Sequence, residues 1–490
     1  MCPDDASSLK ISVPTGWLTI PDKHFCLFSF RDVLQIRDRP FRYQEHEPVP
    51  CGPGSPGSRS VHLNFIDELQ WRDLLFQATS EDLGAYLQDS RVAYIGFDPT
   101  ADSLTIGNVL PVITLARWQR CGHKPIVVMG GATGLIGDPS GKSAERTLLD
   151  PDTIASNIQG QMGTFRRLLD FDGPEQTRAV LLNNMDWFTG LSFVDVLRDV
   201  GKHFSVNAMI QKDSVSARLS EREQGISYTE FSYMVLQAYD FLHLYREHGC
   251  TIQMGGSDQW GNIVSGIDLI NKVFPSPERK QAHGITTPLV LKSDGSKMGK
   301  SESGAVYVNP DRTSPYALHQ YLLNTSDDDA VRFLKYFTFL QRDQVQQLEA
   351  LMQDSPQQRH AQKALADELV DMLHGSDELD RAVAAAGALF SGNVRGLDDR
   401  TLADLVIEVP HTSIDPGRLS GEGVPLAEFL PETTLADSRR QAREFLANSA
   451  ISVNGDVADP DRCLVTTDIL HDQAILIRRG KKAWHALMIS

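Results

Sequence analysis

Apolar residues in this chain switch between short continuous runs and helical spacing, and their order predicts its main elements. A run at residues 92–95 ends at Gly96. Apolar positions then recur at helical spacing from Val109 to Ala116, and a second run at 126–129 ends in two glycines. This order predicts a strand, a helix and a second strand. Glycines at strand ends are typical of sites where a helix N-terminus meets a phosphate, although the dinucleotide fingerprint GxGxxG is absent.

A later helix, predicted over residues 229–241, carries a narrow polar stripe on a strongly apolar background. Tyr233, Gln237 and Asp240 are spaced at i, i+4 and i+7, which places them on one face. Such a stripe usually faces solvent, whereas the apolar flanks favour a buried helix whose polar groups line a pocket. The helix alone leaves these interpretations about equal. The next predicted strand opens into a glycine turn with Asp258, an arrangement that often binds ribose.

Two glycine-rich segments carry basic residues that could hold a polyphosphate. The first covers residues 130–146 and includes Lys142 and Arg146. Its stretch GDPSGKS resembles a P-loop but lacks one residue between the glycines, which disfavours a P-loop nucleotidase. The second is a loop at 291–301 with two lysines three residues apart. It suits a mobile clamp on a polyphosphate, although an exposed basic loop without a function is the more common case.

The C-terminal part of the chain changes from a helical pattern to a mixed and more basic one. Residues 313–395 are mostly helical in pattern. An amphipathic helix at 435–446 carries three arginines, and a basic strand end follows at 475–482. The whole chain has a formal net charge of -17, which argues against adhesion to nucleic acid over its entire surface. A local RNA-binding face stays compatible with that charge, but a basic surface alone is a weak signal.

Composition sets the class of protein without indicating its chemistry. A length of 490 residues predicts two to four domains, and no apolar run reaches the length of a membrane span. The six cysteines are scattered without a CxxC pair, which favours reduced thiols in a cytosolic protein over disulfides or a zinc site. Residues 1–60 combine balanced charge with a Pro/Gly/Ser-rich stretch at 48–60. We expect a flexible extension and linker there rather than a targeting peptide.

Together these motifs resemble those of the tyrosyl-tRNA synthetases, which are class I aminoacyl-tRNA synthetases, and especially their bacterial, actinobacterial type. The resemblance runs over nearly all of residues 61–490. It rests on five ordered motifs at family spacing, namely Tyr94 to Thr100, Gly130 to Arg146, Tyr233 to Phe241, Gln253 to Asn262 and Lys297 to Ser301.

The resemblance implies an α/β fold class. A Rossmann-like nucleotide-binding catalytic domain with a parallel sheet would be followed by an α-helical domain and a small α+β RNA-binding domain. The implied segments are an extension at 1–60, a catalytic domain with a dimerisation insertion at 61–285, a mobile lysine-bearing loop and linker at 286–312, a helical anticodon-side domain at 313–395, a linker at 396–424 and an RNA-binding domain at 425–490.

The resemblance also assigns roles to individual residues. The residues implied to bind tyrosine are Tyr94 and Asp240 at the phenol, Asp138, Tyr233 and Gln237 at the amino group, and Gln253 and Gln259 near the carboxylate. Those implied to surround ATP or the adenylate are Gly96, Asp98, Thr100, Gly107, Gly256 and Asp258. The implied catalytic residues, which would face the pyrophosphate, are Thr105, Asn108, Lys142, Arg146, Lys297, Lys300 and Ser301.

One motif departs from the family pattern. Where the family usually has His-x-Gly-His, this chain has Thr105-Ile-Gly-Asn108, so both histidines are replaced. The related tryptophanyl-tRNA synthetases are similar here and also activate their amino acid. A Thr hydroxyl and an Asn amide can both donate hydrogen bonds to phosphate oxygens. We therefore expect a working enzyme, with Tyr94 and Asp240 favouring tyrosine over tryptophan as the substrate.

The implied function is that of a tyrosine–tRNA ligase, which forms tyrosyl-adenylate from tyrosine and ATP and transfers tyrosyl to tRNA(Tyr). ATP would be a substrate accompanied by Mg²⁺, with no tightly bound cofactor and no metal site in the protein. The family implies a homodimer formed through the catalytic domain, a cytoplasmic location and no membrane contact. The alternative is a non-charging paralogue that binds RNA or senses an amino acid.

Overall fold

A computed structural model describes residues 64–139, 149–212, 215–216, 226–276, 281–301 and 304–490. The chain divides into two units, Met1–Val61 and His62–Ser490. The prediction for residues 1–60 concerns the first unit and lies outside the described residues, as do Lys142 and Arg146.

A six-stranded sheet forms the centre of the N-terminal half. Its strands are β1 (Gln77–Ala78), β2 (Val92–Phe97), β3 (Lys124–Met129), β4 (Val180–Asn183), β5 (Ile252–Gly256) and β6 (His283–Thr287). The spatial order is β1-β6-β5-β2-β3-β4, and all strands are parallel except the edge strand β1. The strand order reverses between β2 and β5. In open α/β sheets, ligands bind at the carboxyl edge beside such a switch point.

Helices cover both faces of this sheet. Their bounds are α1 (Phe65–Trp71), α2 (Leu83–Tyr86), α3 (Leu110–Arg120), α4 (Thr133–Ile136), α5 (Pro151–Leu168), α6 (Met185–Phe188), α7 (Phe193–Asp195), α8 (Val206–Ile210), α9 (Tyr228–His248) and α10 (Trp260–Val273). The longest, α9, begins where the Ser227 hydroxyl accepts the Glu230 N–H, and it ends at Gly249, whose φ of 62° suits a left-handed helix end.

A helical region follows a short hairpin of β7 (Lys300–Ser301) and β8 (Gly304–Ala305). It consists of α11 (Pro315–Leu323), α12 (Asp327–Phe337), α13 (Arg342–Asp354), α14 (His360–His374), α15 (Ser376–Ser391) and α16 (Asp399–Glu408). Its apolar residues join the same core as the sheet, because Phe333 and Leu369 belong to one buried cluster with Ile95 and Val127. The helical region is therefore packed directly onto the sheet domain.

The C-terminal part is a small α+β structure. Its elements are β9 (His411–Ile414), β10 (Val424–Pro425), α17 (Leu426–Phe429), α18 (Arg439–Ala447), β11 (Ile451–Val453), β12 (Asp456–Val457), β13 (Cys463–Leu464), β14 (Ala474–Arg479) and β15 (Ala483–Ile489). Five strands pair in the order β12-β11-β14-β15-β9. The predicted fold class, a parallel α/β domain followed by helices and a small α+β domain, is confirmed.

The structure differs from the sequence prediction at residues 396–424, which we expected to be a linker. This stretch contains α16 and the edge strand β9, which pairs in parallel with β15. The sequence of β9, His-Thr-Ser-Ile, lacks the apolar alternation of a half-buried strand. Its strand conformation comes from hydrogen bonds to a partner more than 70 residues later, a contact that local pattern cannot indicate. The other domain boundaries stay predictions.

Candidate functional site

A cavity of about 560 Å³ opens at the carboxyl edge of the sheet, beside the switch point between β2 and β5. Tyr94 on β2 pairs with Gln253 on β5 across that point, and both side chains line the cavity. The predicted site residues that line it are Tyr94, Gly96, Asp98, Thr100, Gly107, Asn108, Asp138, Tyr233, Gln237, Asp240, Gln253, Gly256, Asp258, Gln259 and Lys297. Residues far apart in sequence meet here because parallel strands end at one edge.

The inner part of the cavity has a buried hydroxyl and a buried carboxylate. Tyr94 is 1% exposed, and its hydroxyl has no hydrogen-bond partner among the described residues. Asp240 on α9 accepts hydrogen bonds from Trp187 Nε1 at 2.8 Å and Asn184 Nδ2 at 3.1 Å. Burial raises the pKa of Asp240 to about 7, although these two donors lower it. A ligand hydroxyl placed here could donate to Asp240 and accept from Tyr94.

The carboxylate belongs to a continuous hydrogen-bond network. The Asn184 amide that reaches Asp240 also donates to Thr133 Oγ1 at 3.0 Å. Thr133 Oγ1 donates to Asp98 Oδ1 at 2.8 Å, and the Tyr233 hydroxyl donates to Asp98 Oδ2 at 2.9 Å. Because each of these side chains is hydrogen-bonded to another, the polar groups of α9 and of the strand ends are held in one conformation. The polar stripe of α9 therefore lines a pocket and does not face solvent.

Sequence reasoning missed Asn184, Thr133 and Trp187. A signal existed for Asn184, because it directly follows the run Val180–Asn183 that forms β4, and polar residues after buried strands collect at the carboxyl edge of a parallel sheet. Thr133 and Trp187 lie on the short helices α4 and α6, whose orientation only the tertiary structure reveals.

Amides form a second polar group further along the cavity. Gln259 Nε2 donates to Asp138 Oδ2 at 2.7 Å, and Gln237 Nε2 donates to Gln259 Oε1 at 3.3 Å. The Oε1 atoms of Gln237 and Gln253 are buried and have no partner in the described part of the chain. Buried acceptors without donors are costly, so a ligand with several N–H donors, such as an ammonium group, would satisfy them.

Two glycines keep the strand ends of the cavity open. A Cβ added to Gly130 would lie 2.3 Å from Asp98 Oδ1, so any larger residue would displace this carboxylate. Gly96 lines the cavity, and a Cβ there would meet no atom within 4 Å, so a side chain at this position would occupy open space.

The carboxyl group of Asp258, in the turn after β5, has its pKa raised mainly by burial.

The outer end of the cavity is lined by Gly107, Asn108 and Lys297. Lys297 belongs to residues 291–301, which we call the lysine loop. Ile106–Val109 is a 3₁₀ turn that leads directly into α3. A Cβ at Gly107 would lie 2.8 Å from the Met298 carbonyl oxygen, so glycine permits the close contact between the two segments. Asn108 and Lys297 line the cavity, and both are exposed.

Three predicted residues fall elsewhere or are only partly described. Thr105 forms an isolated β-bridge with Tyr307 and is absent from the cavity lining among the described residues. Lys300, on β7, is exposed and also outside that lining. Ser301 is placed on β7 by its backbone, and its side chain is not described.

The fold and the cavity define an α/β protein with a polar cavity at the switch point of a mostly parallel sheet. The model of the family described as class I tRNA synthetases (W and Y) matches residues 88–391. A model described as the tyrosine–tRNA ligase SYY-like C-terminal domain matches residues 402–487. The chain belongs to the class I tRNA synthetases of the W and Y group.

Individual relatives agree with this assignment. A tyrosine–tRNA ligase from Staphylococcus haemolyticus (strain JCSC1435) is 47% identical over 423 residues, which are 86% of this chain and 98% of the relative. One from Bacillus caldotenax is 46% identical over 431 residues, 87% of this chain and 99% of the relative. The crystal structure of a C-terminally truncated Aspergillus nidulans mitochondrial tyrosyl-tRNA synthetase matches with a TM-score of 0.60 and 30% identity, over 68% of this chain and 95% of that chain.

Proposed function

We propose that this protein is a tyrosine–tRNA ligase that activates L-tyrosine with ATP and then transfers it to tRNA(Tyr). The observation that carries the choice of tyrosine is the pair of Tyr94 and Asp240 at the inner end of the cavity. A phenol between them would donate to the carboxylate and accept from the Tyr94 hydroxyl, which otherwise has no partner among the described residues. An indole has no hydroxyl to satisfy both groups, so the pair argues for tyrosine over tryptophan.

The remaining parts of tyrosine fit the polar groups further along the cavity. We assign the amino group to Asp138, Tyr233 and Gln237, and the carboxylate side to Gln253 and Gln259. The support is geometric, since all five line one cavity and two amide oxygens there have no donor in the described part of the chain. Gly96, Asp98, Thr100, Gly107, Gly256 and Asp258 would surround the adenylate.

Activation requires no general base, because the attacking group is an ionised carboxylate. The tyrosine carboxylate forms a bond to the α-phosphorus of ATP while the bond to pyrophosphate breaks. Catalysis then consists of holding the reactants in line and stabilising charge on the leaving group. Lys297 and Asn108 line the outer end of the cavity and supply a positive charge and neutral N–H donors. Lys142, Arg146, Lys300 and Ser301 stay predicted partners of the pyrophosphate, as does Thr105, for which we expect the smaller contribution because it is not among the described residues that line the cavity.

Mg²⁺ would arrive with the nucleotide and supply additional positive charge at the phosphates. Magnesium usually keeps several waters and binds through substrate phosphates with one or two carboxylates. Asp98, Asp138 and Asp258 line the cavity and are the carboxylates that could contact such an ion. The protein's own residues would hold the nucleotide that carries the ion.

The C-terminal region would hold tRNA. Arg439, Arg440 and Arg443 are exposed on α18, and Lys481 and Lys482 are exposed in the turn between β14 and β15. Such side chains contact phosphates without distinguishing one nucleotide sequence from another.

Among the described helices, none is long and apolar enough to cross a membrane. We infer a cytoplasmic location, where the described cysteines, all free thiols, would stay reduced.

A homodimer would cover an apolar surface between the two halves of the sheet. Phe193, Val194 and Leu197 lie between β4 and β5 in the chain and are exposed, the first two by 66% and 69%. Val206 and Ile210 on α8 are exposed as well. Neighbouring exposed apolar residues mark interaction surfaces. This supports the predicted association through the insertion of the catalytic domain.

Tyrosine-dependent exchange of pyrophosphate into ATP tests the proposed function. We expect exchange with tyrosine, far less with phenylalanine, and aminoacylation of tRNA(Tyr) by the same preparation. The replacement of both motif histidines by Thr105 and Asn108 makes a non-charging paralogue the second candidate. Folded protein that binds tyrosine but shows no exchange, and gains exchange when both positions are converted to His, would establish the paralogue instead.

A further inference from the structure

Polar contacts tie the lysine loop to the two helices that follow it. On α11, the Tyr321 hydroxyl accepts a hydrogen bond from the Gly299 N–H at 3.0 Å. On α12, Asp329 Oδ2 accepts hydrogen bonds from the Ser293 N–H at 3.1 Å and the Ser293 hydroxyl at 3.3 Å. Neither Tyr321 nor Asp329 lines the cavity or belongs to the residues assigned to substrate. Their contacts lie on either side of Lys297 in the loop.

Asp329 is itself held in one position. Its carboxylate is 3% exposed, accepts the Ser326 hydroxyl at 2.9 Å and forms an ion pair with Arg332. Arg332 also donates to the Leu291 carbonyl oxygen at 2.7 Å, which adds a contact at the first residue of the lysine loop. Because the bonds to the carboxylate are partly buried and support one another, the carboxylate keeps a fixed place for Ser293.

The helix that carries Asp329 is also fixed at its opposite end. Arg117 on α3 donates to the carbonyl oxygens of Tyr336 and Thr338 at 2.8 Å each, and Arg72 donates to the Lys335 carbonyl oxygen at 3.0 Å. These carbonyls lie at the C-terminal end of α12, where helix carbonyls have no intrahelical partner. A helix of 11 residues spans about 16 Å, so α12 connects the catalytic core to the lysine loop as a rigid element.

Between the two anchors, the loop passes the outer end of the cavity. Met298 is 5% exposed and joins the core that contains Ile106 and Leu318. Gly299 has a φ of 90°, which suits the turn that directs its N–H to Tyr321. Lys297 precedes these fixed residues and lines the cavity. Its place therefore depends on the anchors at residues 293 and 299.

We propose that Tyr321 and Asp329 are positioning residues that hold the lysine loop so that Lys297 faces the leaving pyrophosphate. The helical region thereby determines the geometry of the phosphate end. This inference rests on the proposed function, because it assumes that Lys297 acts on ATP. Substitutions that loosen these contacts should lower the rate of activation. They should not change the affinity for tyrosine, because the groups that would bind tyrosine lie on other elements.

Single-atom variants of the full chain test the proposal by steady-state pyrophosphate exchange. Tyr321→Phe removes the hydroxyl that accepts the Gly299 N–H, and Ser293→Ala removes one of the two bonds to Asp329. Each should lower kcat about 3- to 10-fold, the effect of one net hydrogen bond, and leave the KM for tyrosine within about twofold. The matched control is Tyr336→Phe on α12, which removes a hydroxyl that donates to the Asp73 carbonyl oxygen at 3.3 Å, away from the loop. It should leave kcat within about twofold.

The Lys297→Ala background separates positioning from general destabilisation. If Tyr321 acts through Lys297, adding Tyr321→Phe to Lys297→Ala should lower kcat by less than about twofold. Equal losses with and without Lys297, or a Tyr321→Phe variant that behaves like Tyr336→Phe, would overturn the proposal.

Limited trypsin cleavage after Lys297 and Lys300 gives a readout that does not depend on activity. The comparison is made at the same interval below the melting temperature of each protein. Cleavage should then be faster in Tyr321→Phe than in the wild type or Tyr336→Phe, and equal cleavage would contradict the proposal. Absence of exchange in the wild type would overturn the proposed function alone, since the cleavage comparison would still decide whether Tyr321 holds the loop.

Discussion

The inner and outer ends of the cavity are built in different ways. At the inner end, Tyr94 and Asp240 lie on the regular elements β2 and α9, are almost fully buried, and adjoin a network through Asn184. At the outer end, Lys297 and Asn108 are exposed and lie on a loop and a 3₁₀ turn. The first end has a fixed shape before any ligand binds. The second depends on how one loop packs against another.

This difference follows from what each end would have to do. Recognition of a hydroxyl requires polar groups that are buried, because water would otherwise replace the hydroxyl as their partner. Stabilising a leaving pyrophosphate requires charge and N–H donors that can follow a group as it moves away. We therefore expect substitutions at the inner end to alter selectivity, pH dependence and stability, and substitutions at the outer end to alter rate.

The largest effect should come from Lys297→Ala. Loss of the charge that faces the pyrophosphate should lower kcat for activation about 100- to 1,000-fold, by analogy with the loss of one preorganised donor. The KM for tyrosine should change little, as measured by pyrophosphate exchange. Lys363→Ala, at an exposed lysine on α14, is the matched control for charge. A Lys297 variant that loses tyrosine affinity and keeps its kcat would reverse the comparison between the two ends.

Asp240→Ala should change selectivity more than rate. Removing the buried partner of the phenol costs about 1–3 kcal/mol, which corresponds to an approximately 5- to 150-fold lower preference for tyrosine over phenylalanine. The measurement is the ratio of kcat/KM for the two amino acids. An unchanged ratio would mean that Asp240 does not contact the phenol.

Asn108→Ala and Thr105→Val distinguish the two residues that stand in place of the family histidines. Asn108 lines the cavity, whereas Thr105 bridges to Tyr307. We expect about a 10-fold loss of kcat for the first, from a donor that acts mainly in the transition state, and about twofold or less for the second. Exchange assays at saturating tyrosine check this order. A larger loss for Thr105→Val would place its hydroxyl on the phosphates after all.

The raised pKa of Asp240 predicts a pH dependence that belongs to the inner end alone. The ionised carboxylate is the stronger acceptor for the phenol, and burial raises its pKa in the free protein to about 7. As the pH falls below 7, kcat/KM for tyrosine should decrease up to about tenfold per pH unit, and above 7 it should reach a plateau. Phenylalanine should not share this decrease. A flat tyrosine profile between pH 6 and 8 would contradict the assignment.

The smallest expected effect is on stability. A carboxyl whose pKa is raised from 3.8 to about 7 on folding destabilises the ligand-free fold progressively as the pH rises through that window. Asp240→Asn removes this charge, so its Tm should exceed that of the wild type by about 2–4 °C at pH 8, with the difference vanishing near pH 4. Calorimetry at both pH values measures it. If the Tm of Asp240→Asn instead lies below that of the wild type at pH 8 but not at pH 4, the ionised carboxylate stabilises the fold.

Much of this protein was determined by the sequence itself. The apolar runs at 92–95 and 126–129 became parallel strands, and the stripe of Tyr233, Gln237 and Asp240 became one wall of the cavity, because period and burial are local properties of a helix or strand. The helical period placed the three polar residues on one face, but the helix pattern alone left a pocket and a solvent-exposed face about equal.

The tertiary structure alone decided which residues support those groups. Asn184 and Trp187 meet Asp240 from more than 50 positions away, and β9 becomes a strand only beside β15. Thr105 pairs through its backbone with Tyr307, and Gly107 lies close to the Met298 carbonyl, about 200 residues away in the sequence. These contacts join segments whose own patterns are weak. Their conformation is set by hydrogen-bond partners and close packing that exist only once the chain has folded.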